Sequence, residues 1–126
     1  MVQIGIQTQN IVDDINPAEG FALLAEAGFS CADFSLNAYL LNAEIYRSKL
    51  NSFFSQSIRE LEFFFESHKK GAASAGITIH QMHMPYPIYV PGGSEELNSY
   101  LWNEVAPKSM MLCSFLECPY IVVHGC

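Results

Sequence analysis

Twice in this chain a helix-forming run stops at an Ala-Gly pair and an apolar run begins with the very next residue: Glu26-Ala27-Gly28-Phe29 and Ser74-Ala75-Gly76-Ile77. Glycine enters the left-handed conformation that ends a helix at little steric cost, so each pair reads as a helix stop followed directly by a strand. The two marks stand about 45–50 residues apart, the scale of a βα unit. A chain punctuated in this way alternates strand with helix, which narrows the possible folds more than its composition does.

The helix starts are equally readable. Asn16-Pro17-Ala18-Glu19 supplies an N-cap, a first-turn proline and an acid at the third position, so a helix is expected from Pro17 to about Ala27. Ser57-Ile58-Arg59-Glu60 is a capping box, and the helix it opens carries Ile58, Leu61, Phe65, His68, Ala72 and Ala75 on one face before it stops at Gly76. A third helical stretch begins at Ser94, Glu95 and Glu96, must break or restart at Pro107, and reaches Cys118-Pro119 through Leu112, Phe115 and Leu116. Between them lie four apolar runs expected as strands: Val2–Gln7, Phe29–Leu36, the segment T-I-H-Q-M-H-M before Pro85, and Tyr120–Val123. Continuous apolar strands alternating with helices predict an α/β fold whose four parallel strands, joined by right-handed crossovers, are covered by helices on both faces. One domain over residues 1–126 is expected, with neighbouring strands in the order 1-2-3-4.

Bulk properties exclude several functions. Half of the 126 residues are hydrophobic and 15% are charged, enough apolar material for one well-packed core. The start M-V-Q-I-G-I-Q-T is apolar only briefly and lacks a basic flank, so no signal peptide, no membrane span and a cytoplasmic location are expected. Thirteen acidic against six basic residues give a formal charge of −7, and the basic ones form no stripe with aromatics between them, which argues against nucleic acid as a partner. Cys31, Cys113, Cys118 and Cys126 contain no C-x-x-C pair and are expected as small buried thiols without disulfides.

The candidate chemistry lies in the histidines. His83 stands immediately before Met84-Pro85, where the third strand ends, and His124 follows the fourth strand. On neighbouring parallel strands roughly 4.8 Å apart, two such terminal side chains converge on one ligand. His80 and His83 are three apart, so on a regular strand they face opposite ways. His80 is then expected between sheet and helices as a hydrogen-bonded histidine, and His68 on the inner side of its helix. Asp33, near the carboxyl end of the second strand with Ser35 on its face, is either a binding carboxylate or a structural anchor. The run Phe63-Phe64-Phe65 is expected to pack in the core. The connection Asn37–Gln56 is long for a plain loop and reads as a lid over the strand ends or a short extra helix.

Three segments, A-G-F-S-C-A-D-F-S-L (27–36), Q-M-H-M-P-Y-P-I-Y (81–89) and F-L-E-C-P-Y-I-V-V-H-G (115–125), resemble in order and spacing the first half of a xylose isomerase-like (β/α)8 barrel. That superfamily comprises sugar phosphate isomerases/epimerases and AP endonucleases. The second segment resembles its strand-three "H-x-P" pattern and the third its strand-four "cPyivvH" pattern, with Gly125 where the family commonly has proline. The resemblance implies a partial TIM barrel and a sugar or sugar phosphate as the partner. It implies metal-dependent aldose–ketose isomerisation or epimerisation in the complete barrel, where a divalent ion (Mn, Mg, Zn or Co) polarises a carbonyl. His83 and His124 would be metal or substrate ligands and Asp33 a further candidate. The carboxylate ligands and the base would come from later strands, so these 126 residues are expected to be inactive alone, and to associate if stable. An AP endonuclease-type phosphodiester hydrolase is the alternative, disfavoured by the charge of −7 against a polyanionic substrate. A non-catalytic α/β binding module is the third reading.

Overall fold

The computed structural model describes residues 2–125 of the chain. Four strands, β1 (Gly5–Gln7), β2 (Cys31–Ser35), β3 (Thr78–His83) and β4 (Tyr120–Val122), form one parallel sheet in the order β1-β2-β3-β4. The strands are shorter than the apolar runs that predict them. Helix α1 (Pro17–Glu26) joins β1 to β2, α3 (Ile58–Ala75) joins β2 to β3, and α4 (Glu95–Tyr100) with α5 (Ala106–Phe115) joins β3 to β4. The long connection after β2 contains two 3-10 turns, Asn37–Tyr39 and Phe53–Ser55, and the one-turn helix α2 (Asn42–Ile45).

The helix ends obey the local rules that announce them. Ser57 Oγ accepts from the Glu60 N–H at 3.3 Å while the Glu60 carboxylate accepts from the Ser57 N–H at 2.8 Å, a closed capping box. Gly76 ends α3 at φ +70°, and Gly28 follows α1 at φ +89°. Pro107 does not break the third helical stretch. A π turn over Leu101–Val105 widens the helix, Ala106 N–H donating five residues back to Leu101, and Pro107 then stands in the first turn of α5, where a missing N–H costs nothing.

The helices cover one face of the sheet, and the expectation of cover on both is corrected. Ala32, Phe34, Ile79 and Met82 are buried, and with Phe21, Leu61, Phe65, Leu97, Leu101 and Leu112 they form one continuous core. On the other face Thr78, His80 and Tyr120 are exposed. A β-bulge decides which side chains of β3 reach that face. Ile79 lies opposite Ala32 but Gln81 lies opposite Asp33, so His80 is an extra residue on β3. The alternation restarts across it: Ile79 and Met82, three apart, both point to the helices, and His80 and His83 share the open face.

Of the Phe63–Phe65 run, Phe65 is fully buried, Phe64 half-buried and Phe63 85% exposed, so core packing is wrong for Phe63. Three consecutive helical positions span about 200° of the helix surface, more than a buried stripe covers. Cys31, Cys113 and Cys118 are buried free thiols, and Cys126 lies outside the described residues. Among the described residues no helix is long and apolar enough to cross a membrane.

Candidate functional site

At the carboxyl end of β2, Asp33 turns onto the open face and accepts two hydrogen bonds. His83 Nδ1 lies 2.8 Å from Asp33 Oδ1, and Gln81 Nε2 donates to Oδ2 at 3.1 Å. The bulge makes this possible, since it sets Gln81 opposite Asp33 and brings His83, two residues on, to Ser35, the last residue of β2. A carboxylate only accepts, so the contact places a proton on Nδ1 of His83, and in the neutral imidazole Nε2 is then the nitrogen that presents a lone pair. The carboxylate and imidazole side chains are 22% and 19% exposed, so the pair is held by the sheet yet open to a ligand.

His124, just past the end of β4, is exposed, and its ring stacks beside that of His83 with centroids 5.5 Å apart and planes at 26°. Tyr86 approaches His124 edge-on at 5.6 Å. The Tyr86 backbone is fixed from the neighbouring loop, because its N–H donates to Asn37 Oδ1 at 3.0 Å. Asn37, Asn42, Tyr86, His124 and Gly125 enclose a hollow of about 380 Å³ above the strand ends. A second hollow of about 370 Å³ runs down the open face past Gln7, Asp33, His80 and Gln81. A larger one, about 650 Å³, lies outside α3 around Arg59, Glu60 and Phe63, away from every histidine, and has no group suited to proton transfer other than the capping carboxylate of Glu60.

The three site candidates therefore come together: Asp33 and His83 in direct contact, His124 stacked on His83. The placement of His80 between sheet and helices is corrected. It is exposed on the open face with its ring 5.4 Å from that of Tyr120, the bulge having reversed its direction. Gln81, Tyr86, Asn37 and Asn42 border the candidate site and were not singled out by sequence reasoning. The two prolines flanking Tyr86 marked a loop there, but only the fold shows that it meets Asn37, 49 positions earlier. The segment after β2 contributes a wall, through Asn37 and Asn42, and not a continuous lid.

Two other clusters are structural. His68 is 1% exposed, packed against Phe34, Phe64 and Phe65, with Nε2 2.9 Å from Asp14 Oδ1. Burial pushes its pKa down, opposed by the smaller attraction of Asp14. Tyr39 donates to the same oxygen, and burial followed by that carboxylate raises its pKa. Burial pushes the Cys118 thiol up to about 11, so it stays protonated and is a poor nucleophile.

Comparison with known proteins adds no family: no family model matches the chain, and no curated protein or solved structure matches it either. For a divalent ion, His83 Nε2 and His124 are the available nitrogens, with Asp33 behind His83 as an orienting carboxylate. Among the described residues no group of three or more His, Cys, Asp or Glu is arranged to hold a metal ion. Two imidazoles fall short of the three or four ligands such an ion takes from protein.

Proposed function

We propose that the chain is the sugar-binding part of a sugar isomerase/epimerase-like (β/α)8 barrel, four strands and their helices, acting in metal-dependent aldose–ketose isomerisation or epimerisation. The observation that carries this reading is the Asp33–His83 hydrogen bond of 2.8 Å beside His124, at the carboxyl ends of neighbouring parallel strands. Barrel enzymes gather their chemistry at that end. The order β1-β2-β3-β4, with the helices on one face, is the arrangement that half of such a barrel would have. A divalent ion would polarise the sugar carbonyl. His83 and His124 supply too few ligands for it by themselves, so the roles assigned to this chain's residues are binding and proton transfer.

Asp33 fixes the His83 tautomer. Nε2 then accepts a proton from a sugar hydroxyl and returns it to a carbonyl oxygen as charge develops there, the two-way transfer that interconversion of hydroxyl and carbonyl neighbours requires. His124 lies beside it to hold the adjoining oxygen, and the Tyr86 ring borders the hollow in which the carbon chain would lie. None of these groups is assigned to the C–H proton. The endonuclease alternative gains nothing from the hollow beside Asp33 or the one beside His124, neither of which is lined by Lys or Arg among the described residues, in a chain of charge −7.

The reading is tested by titrating the purified 126-residue chain with pentoses and hexoses while following the His83 and His124 ring signals by NMR, with aldose–ketose interconversion assayed in parallel. Saturable millimolar shifts at both rings, lost in His83→Ala, are expected, with no detectable turnover by this chain alone. Rings that no sugar perturbs would overturn it.

A further inference from the structure

We propose, independently of the sugar-binding reading above, that Cys113 and Cys118 are a dithiol pair that a low-molecular-weight disulfide oxidises to an intramolecular bridge, stapling the end of α5 to the start of β4.

The way α5 stops brings the two residues together. Glu117 turns left-handed at φ +57°, its N–H donates to the Ser114 carbonyl at 3.0 Å, and the Cys118 N–H donates to the Cys113 carbonyl at 3.0 Å. These are the paired bonds of a Schellman stop, which sets the third residue from the helix end beside the second residue beyond the cap. In this chain both of those positions are cysteine. A direct 3.0 Å hydrogen bond between them keeps their Cα atoms at most about 7 Å apart, within the reach of a disulfide.

The thiols converge as well. Cys113 Sγ lies 3.3 Å from the Cys118 carbonyl oxygen and 3.8 Å from that of Tyr120, and Cys118 Sγ lies 3.2 Å from the same Tyr120 oxygen. Both side chains therefore point at one atom. Cys31, the remaining free thiol among the described residues, is on β2, and β3 separates it from β4.

Both cysteines are buried, 7% and 8% exposed, so a reagent reaches them when this corner opens. β4 is three residues long and among the described residues pairs only with β3, the kind of element that opens locally below the cost of global unfolding. Exchange then runs in two steps. One thiol, ionised, attacks a sulfur of the small disulfide and releases one small thiolate; the second attacks the mixed disulfide and releases the other. Two protein S–H bonds and the reagent S–S bond break, the protein S–S bond forms, and two electrons and two protons leave on the two small thiols. Burial above all holds the Cys118 pKa up at about 11, so the ionised form is scarce at neutral pH and exchange quickens as the pH rises.

The experiment incubates the reduced 126-residue chain with millimolar oxidised glutathione at pH 7 and pH 9 and follows intact mass, peptide maps and amide exchange. A mass lower by two hydrogens is expected, reached several-fold faster at pH 9. Cleavage after Phe115, Leu116 or Glu117 should leave Cys113 and Cys118 joined on two otherwise separate peptides. The bridge should slow exchange of the Tyr120–Val122 amides several-fold, and dithiothreitol should restore it. Cys118→Ser keeps a donor toward the Tyr120 oxygen and should show no oxidant effect on those amides. Glutathione that stays attached to either residue, a bridge mapped to another pair, or two thiols that remain reduced at both pH values would overturn the pairing. A bridged chain whose β4 amides exchange as before, or a Cys118→Ser chain that slows equally, would overturn the staple.

Discussion

Asp33→Ala removes one side chain that two others depend on. His83 Nδ1 loses its partner at 2.8 Å and Gln81 Nε2 its partner at 3.1 Å. Hydrogen bonds to a charged group contribute about 1.5–3 kcal/mol each where they are buried. This pair is about one-fifth exposed, so water takes up part of the vacated bonding and the combined cost should be about 2 kcal/mol. For a domain of this size that lowers the melting temperature by roughly 5–10 °C. The sharper readout is the tautomer. In the intact protein the carboxylate holds the proton on Nδ1, whereas a free neutral imidazole prefers it on the other nitrogen, so nitrogen NMR of the ring should show an Nδ1–H form that reverts toward Nε2–H in Asp33→Ala. Asp33→Asn, which keeps an acceptor oxygen without the charge, should fall between the two. An unchanged melting temperature together with an Nε2–H tautomer already in the unmutated protein would refute the contact and the proton-transfer role built on it.

Gly71→Ala would set a Cβ 2.9 Å from Ala18 Cα and 3.0 Å from Ala18 N, backbone atoms that cannot rotate aside, so α1 and α3 must part. Overpacking should outweigh the better helix propensity and cost about 1–2 kcal/mol net in urea unfolding, and a stabilised variant would mean a looser crossing. Ser57→Ala opens the capping box of α3 and should cost about 1 kcal/mol by the same measurement. The buried His68 has a folded-state pKa below its unfolded value, so the unfolded chain binds a proton that the native one refuses: stability is level above about pH 6.5 and falls as the pH drops below it. His68→Gln should flatten that part of the urea-midpoint profile, and an identical slope in both proteins would assign the acid sensitivity elsewhere. Among the described residues strands β1 and β4 each leave one edge unpaired, flanked by exposed Ile4 and Val123, so sedimentation at tens of micromolar should show self-association, and a clean monomer would count against it.

Much of the architecture is local in origin and was legible in the chain. A capping box at Ser57, a glycine stop at Gly76 and an N1 proline at Pro17 act over three or four residues, so short-range hydrogen bonding and backbone sterics determine where helices begin and end. Helix and strand alternation then leaves a parallel sheet as the compact way to bury the apolar runs, and the strand-end positions of His83 and His124 follow from that order. Pro107 shows where local reasoning stops: tertiary packing kept the helix going by widening one turn. The bulge at His80 depends on how β3 registers against β2, a long-range fit that decides which face every later side chain takes. Only the folded sheet therefore put His80 on the open face, set Asp33 against His83, and joined Asn37 to Tyr86, because each is a pairing of residues distant in the chain whose geometry no short stretch of sequence contains.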